Sequence, residues 1–286
     1  MSKKYLILDC NYLCHRAKYT TGALSFGENA TGVIYGFLKS LTGFQSLFNT
    51  SNFVFCWDSN TSKRREIYSE YKANRKDKEY TDEEIEFDKA FRKQMKKLRT
   101  TYLPMIGFKN VFIQRGYESD DIMASVALQL SQCGNEVIII TSDHDLYQCI
   151  SANVSCYNPQ TNKIMTLQGF KKQYGIESYE WVLAKAIAGC TSDNIEGVKG
   201  VGEKTAIKYL KMQLKTTDKK YYDISCLDGK TIFERNFPLV KLPMKGTQRF
   251  KLKRDKLSEQ GWHQVVKLLG LKSIREKIPF GGRKRR

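Results

Sequence analysis

Carboxylates follow four short apolar runs of this 286-residue chain. Asp9 closes Tyr5–Leu8, Asp58 closes Phe53–Trp57, Glu118, Asp120 and Asp121 follow Val111–Gln114, and Asp143 and Asp145 follow Val137–Thr141. A lone Asp after a strand is ordinarily a helix cap or turn former. Four strand ends in succession, each delivering acid, fit that reading less well. Seven carboxylates in one crevice repel unless cations neutralise them, because buried unpaired charge is costly. Oxygen-only ligation points to Mg²⁺ or Mn²⁺ rather than zinc. Two such ions about 4 Å apart activate water and stabilise the attacking and leaving oxygens of a phosphodiester. His15, His144 and His263 stand singly in unlike contexts, so histidine chemistry is the weaker reading.

The elements that must position these acids are legible. The four apolar runs read as buried strands, with helical patterns at Thr31–Phe48, Glu83–Tyr102 and Asp120–Cys133 between them. Strands alternating with helices predict an α/β fold, a mainly parallel central sheet flanked by helices. In such sheets functional groups gather at the C-terminal strand ends, where these acids fall. Residues 60–102 are dense in charge of both signs and read as an excursion from the sheet. After about residue 178 the strand signals fade. Helices are expected at Tyr179–Ala188 and Glu203–Leu214, followed by a Lys-rich region. The expected organisation is a core at 1–178 with the 60–102 insertion, a helical basic region at 179–280, and a disordered basic tail at 281–286.

The net charge of +18 is unevenly distributed. Residues 203–286 hold 23 Lys and Arg against 8 Asp and Glu, whereas residues 106–202 are net acidic. The chain thus separates a polyanion-binding surface from a candidate cation-binding centre. The eight cysteines form no C-x-x-C pair and read as small hydrophobes in a reducing compartment. No apolar run is long enough to span a membrane and no signal-peptide pattern opens the chain, so a soluble, cytoplasmic monomer is expected.

Six stretches, in order, resemble the motifs of the 5′ nuclease superfamily, the flap endonucleases and 5′–3′ exonucleases. They are Leu6-Ile-Leu-Asp9, Phe55-Cys-Trp-Asp58, Tyr71-Lys-Ala-Asn-Arg75, Gly116-Tyr-Glu-Ser-Asp-Asp121, Thr141-Ser-Asp-His-Asp145 and residues 189–205. The layout is similar to stand-alone bacteriophage members and to the 5′-nuclease domain of bacterial DNA polymerase I. The resemblance covers roughly residues 5–210 and implies a PIN-like core, a helical arch at 60–102 and a C-terminal helix-three-turn-helix region. It implies that Asp9, Asp58, Glu118, Asp120, Asp121, Asp143, Asp145 and Asp193 match the family's metal-binding acids. One position departs: Cys190 stands where the pattern has a carboxylate, which weakens the second of two ions, because a thiol is a poor Mg²⁺ ligand.

By the same resemblance Lys72 is the first choice for a catalytic cation and Arg75 the second, with Arg64 a substrate-binding match and Tyr71 placed to stack on a base. Gly197, Gly200, Gly202, Lys204 and Thr205 form a glycine-rich turn entering a helix. It lacks nucleotide phosphate-loop spacing and suits a phosphate of duplex DNA, with K⁺ on the turn carbonyls. The implied reaction is hydrolysis near single-strand to duplex junctions of branched or nicked DNA with a 5′ single-stranded end, in replication or repair, including removal of RNA primers or flaps. The alternatives are a structure-specific DNA-binding protein whose centre has degenerated, and a relative acting on RNA or RNA–DNA hybrids.

Overall fold

The computed structural model describes residues 2–75 and 81–280. The basic tail at 281–286 and positions 76–80 of the expected arch lie outside the described residues. The fold is α/β, with mostly parallel strand pairs and helices between the strands, as the sequence predicts.

The chain forms two compact units. One comprises the described residues of Met1–Trp57, Glu79–Phe112 and Phe250–Arg286; the other comprises those of Asp58–Lys78 and Ile113–Arg249. In the first unit Phe53–Trp57 is flanked by Lys4–Asp9 and by residues 111–112. Lys4–Asp9 and Phe53–Trp57 run parallel, with Leu6 opposite Phe53 and Asp9 opposite Cys56. Leu6, Ile7, Leu8 and Phe53 through Cys56 are wholly buried, and for this reason both segments read as unbroken apolar runs. Phe108 packs edge-on to Phe53 and Phe55. The Asp82–Lys97 helix opens with a capping box between Thr81 and Glu84. Acids in its first turn and Lys96 and Lys97 in its last favour the helix dipole. The predicted helix to Tyr102 changes to a π turn at Leu98–Tyr102.

In the second unit the order is Glu136–Ile140, Val154–Asn158, Lys163–Met165, the first pair parallel and the second antiparallel. The last two strands are not foreseen in the sequence. Lys163–Met165 is only three residues long, and Val154–Asn158 carries polar Ser155 and Asn158 within its run. An aromatic cluster of Tyr147, Phe170, Tyr174 and Trp181 underlies the loop after Glu136–Ile140, with Tyr174 and Trp181 centroids 4.8 Å apart. In the second unit helices lie at Trp181–Ala188, Glu203–Leu210, Lys219–Ser225 and Leu227–Val240, whereas residues 241–249, within the expected helical region, carry none. The helix expected to reach Leu214 stops at Leu210, and Met212 takes a left-handed φ of 54°.

Candidate metal centre

In the second unit two separate segments bring the acids Glu118 and Asp193 to Lys72, and others bring Asp143, Asp145 and Asp58 to neighbouring turns. Asp143 caps the short helical turn His144–Cys149, its carboxylate accepting the Asp145 N–H at 2.8 Å. Asp193 sits in the Thr191–Asp193 turn, between the paired dipeptides Gly189–Cys190 and Ile195–Glu196. That hairpin is tight enough to require glycine: Gly189 has φ 73°, and a Cβ on it would meet the Ile195 carbonyl and the Gly197 nitrogen at 2.4 Å. Glu118 precedes the Ser119–Gln132 helix, and Asp58 is tied to that helix start by accepting the Ser119 N–H at 2.7 Å.

The segment at 70–75 is docked on the hairpin. Lys72 holds a left-handed φ of 55°, and its N–H donates to the Asp193 carbonyl at 2.8 Å. A non-glycine residue held at positive φ is a local strain that surrounding contacts must maintain. Here Asn194 Nδ2 donates to the Glu70 carbonyl at 2.8 Å. The Lys72 ammonium then lies 2.7 Å from Glu118 Oε2 and 3.8 Å from Asp193 Oδ1. Arg75 Nη2 lies 2.9 Å from Asp193 Oδ1 with its side chain still half exposed. Two cations and two acids therefore share one small volume.

The charges act on one another accordingly. Burial would push Glu118 up, but Lys72 and Arg64 hold its carboxyl below the usual range. Burial would push Lys72 down, but Glu118 and Asp193 raise it. Asp193 is raised, by burial first and then by Glu118 and Asp145, against the pull of Lys72 and Arg75. Burial and neighbouring Asp145 push Asp143 up to about 6. Such an acid gains most when a cation arrives.

The donor atoms of Asp145, Cys190 and Asp193 all lie within 4.8 Å of one another. Oxygen donors of this kind suit Mg²⁺ or Mn²⁺, so the residues present fit a divalent ion, with one sulfur among the oxygens.

Three of the expected site residues lie in the protein interior. Asp121 is fully buried, and Arg64 Nη1 and Nη2 hold its two oxygens at 2.6 and 2.8 Å. It also accepts the Met244 and Glu118 N–H groups, so its carboxylate is engaged by protein rather than placed to receive an ion. Arg64 is itself buried, with Nε donating to the Leu239 carbonyl at 2.8 Å, and presents no guanidinium to a phosphate. Tyr71 is 1% exposed and packs with Val182, Ala186, Ile195, Leu239 and Val240, so its ring is not offered to a base. Its hydroxyl lies 2.9 Å from Glu118 Oε2 and 3.2 Å from Asp193 Oδ2, where it orients both acids.

The other predicted residues are placed as follows. Asp9 belongs to the first unit, caps the Cys10–Thr21 helix and accepts the Tyr12 N–H at 3.0 Å. Asp120 occupies the first turn of the Ser119–Gln132 helix, half-buried. Gly197 through Gly202 make the turn before Glu203–Leu210: Gly200 has φ 67°, Gly202 caps the helix with open space around it, Lys204 is exposed and Thr205 half-buried. The two-residue strand Ile195–Glu196 precedes this turn.

Lys185 is a site residue that the sequence reading passes over. It is buried in Trp181–Ala188, with its ammonium 3.0 Å from both Asp145 Oδ1 and Glu203 Oε1. A lysine inside the apolar run Trp-Val-Leu-Ala-Lys-Ala-Ile-Ala was the available signal. It links the acid cluster to the start of the helix after the glycine-rich turn. Asn236, fully buried, likewise braces the hairpin by donating to the Ala186 and Glu196 carbonyls at 3.0 and 2.8 Å.

The family described as 5′–3′ exonuclease, N-terminal resolvase-like domain, matches residues 4–175. The chain belongs to the 5′–3′ exonuclease family. It is 33% identical over 215 residues to the 5′–3′ exonuclease of Buchnera aphidicola subsp. Schizaphis graminum, covering 73% of this chain and 70% of that one. With the 5′–3′ exonuclease of Aquifex aeolicus it shares 31% over 242 residues, 84% of this chain and 77% of the other. The thermostable DNA polymerase I of Thermus thermophilus is 34% identical over 217 residues, but the match spans only 24% of that longer protein. The fold is that of bacteriophage T5 5′-exonuclease solved with bound zinc ions, at a TM-score of 0.69 and 21% identity over 96% of this chain and 98% of that one. T5 flap endonuclease complexed with DNA and metal ions gives 0.71 at the same identity and coverage. No helix among the described residues is long and apolar enough to cross a membrane.

Proposed function

We propose that this member of the family is a divalent-metal-dependent 5′–3′ exonuclease and flap endonuclease, cutting DNA phosphodiesters near single-strand to duplex junctions and leaving 5′-phosphate ends. The observation that carries the reading is the meeting of Glu118, Asp145 and Asp193 with Lys72 and Arg75 in one unit. Asp143, Asp145 and Asp193 would hold one Mg²⁺ or Mn²⁺ ion, and Asp58, Glu118 and Asp120 another; Asp9 keeps the ligand role that its motif implies. Bound divalent ions would supply an activated water and neutralise charge on the scissile phosphate.

The protein's own residues do the rest. Tyr71 and Lys72 orient Glu118 and Asp193 through the contacts above. In this reading the Lys72 and Arg75 cations, held by Glu118 and Asp193, would stabilise charge developing on a phosphate. Exposed Lys204 and the backbone of the Gly197–Gly202 turn grip duplex phosphate without reading sequence, K⁺ being the cation suited to the turn carbonyls. In this reading residues 1–178 are the nuclease core, 60–102 the arch for a 5′ single strand, and 179–280 the duplex grip. The substrates are branched or nicked DNA and RNA–DNA primer hybrids, cut by a monomer in the cytoplasm.

The test is cleavage of a 5′-labelled flap duplex by wild type and Asp145→Asn across Mg²⁺ and Mn²⁺ titrations. Wild type should cut near the junction only with metal, and the variant should bind the flap yet cut slower by on the order of 10² or more. Equal rates would sink the assignment. Tight binding by wild type with no product at any metal concentration would replace it with a DNA-binding protein.

A further inference from the structure

Cys190 occupies a position where the motif pattern has a carboxylate, and the fold keeps it facing the acids. Pairing with Ile195 fixes its backbone, and the turn that follows returns Asp193 to the same place. Asp145 arrives from a different segment, after the Glu136–Ile140 strand. Donors sharing one ion stand no more than about 4.5 Å apart across it. A spread within 4.8 Å therefore needs only a small turn of side chains.

We propose that Cys190 is itself a ligand, and that Asp145, Cys190 and Asp193 form a mixed thiolate and carboxylate site that favours Mn²⁺ and thiophilic divalent ions over Mg²⁺. The proposal rests on the nuclease reading of the same acids and changes what the second site selects. Mg²⁺ is hard, holds its waters and gains little from sulfur, whereas thiolate selects softer ions. The local charge strengthens the preference. Asp145 already has the Lys185 ammonium at 3.0 Å and Asp193 has Arg75 at 2.9 Å, so two of the acids are partly neutralised. A hard ion meets little remaining negative charge. An ion able to displace the thiol proton gains a third anionic donor: the S–H bond breaks, the proton leaves to solvent, the metal–sulfur bond forms, and no electrons are transferred. Ser192 Oγ, 3.1 Å from the sulfur, is positioned to hydrogen-bond to it.

The probe is Co²⁺, added to the full-length metal-free protein and followed by its thiolate charge-transfer absorption in the near ultraviolet. Wild type is compared with Cys190→Ser and Cys190→Asp, each checked for folding by circular dichroism. The band should be present in wild type and absent from both variants; the other seven cysteines are common to all three, so the difference belongs to position 190. In competition calorimetry the Mn²⁺ over Mg²⁺ preference should fall by at least about tenfold in Cys190→Asp. Identical Co²⁺ spectra, or an unchanged Mn²⁺ to Mg²⁺ ratio, overturn the proposal. Flap cleavage run in parallel keeps the two claims apart. The band without cleavage in any metal removes the nuclease reading and leaves the thiolate site; cleavage without the band does the reverse.

Discussion

Removing Arg64 should cost stability rather than substrate affinity. Its guanidinium makes a bidentate pair with Asp121 at 2.6 and 2.8 Å, the partners being 3% and 0% exposed, and its Nε caps the Leu239 carbonyl. Arg64→Ala leaves a carboxylate buried with only the Met244 and Glu118 N–H groups as donors, at 2.8 and 3.2 Å. Breaking one side of a buried pair typically costs about 3–5 kcal/mol. In a chain of this length each kcal/mol lowers the melting temperature by about 2 °C, so a fall of roughly 6–10 °C is expected. Replacing both partners by apolar residues, Arg64→Met with Asp121→Leu, should recover at least about 1 kcal/mol relative to the summed single losses, because neither charge is then stranded. Denaturant unfolding of the two singles and the double measures both quantities, and Mn²⁺ titration of Asp121→Asn completes the set. The reasoning fails if Arg64→Ala loses less than about 1 kcal/mol, or if the single losses simply add. It fails equally if Asp121→Asn weakens metal binding at an unchanged melting temperature, as a ligand would.

Lys72→Ala should lower single-turnover flap cleavage by about 10²–10³-fold with little change in flap affinity, since its cation serves the developing charge; a matching loss of affinity with unchanged turnover would assign it to binding. Lys185→Met should tighten Mn²⁺ binding severalfold, because it removes an ammonium 3.0 Å from Asp145, and weakened binding would make Lys185 a positioning residue for that acid instead. Burial would raise Asp88, but hydrogen bonds from Lys18 and Arg92 hold its carboxyl below the usual range. A lowered carboxyl stabilises the fold above its unfolded pKa of about 3.9, and that contribution disappears as pH falls through the folded value. The difference in amide protection of Asp82–Lys97 between wild type and Asp88→Asn should therefore be present at neutral pH and vanish in acid; a pH-independent difference would refute the pairing.

The class of fold and the family likeness are legible in the residue string. Leu6–Leu8, Phe53–Trp57 and Val137–Ile140 are buried in a sheet, so their apolar runs are continuous and need no knowledge of neighbours to be recognised. The order of acids, cations and glycines carried the family likeness for the same reason, since chemistry at a strand end depends on residue type and local position. Val154–Asn158 and Lys163–Met165 escaped because short strands with polar positions are defined by the strand they pair with. Which member of each motif faces the centre is set by packing between distant segments. Asp120 and Asp121 are neighbours on one helix turn, yet the second is turned inward onto Arg64, and nothing in the string Glu-Ser-Asp-Asp distinguishes them. Tyr71 and Lys72 are likewise adjacent, one ring packed in a core and one ammonium set between Glu118 and Asp193. Lys185 joins Asp145 to Glu203 across 40 and 18 residues of chain. Such long-range pairs are fixed by packing, in which burying a charge is tolerable only where a partner from another segment meets it.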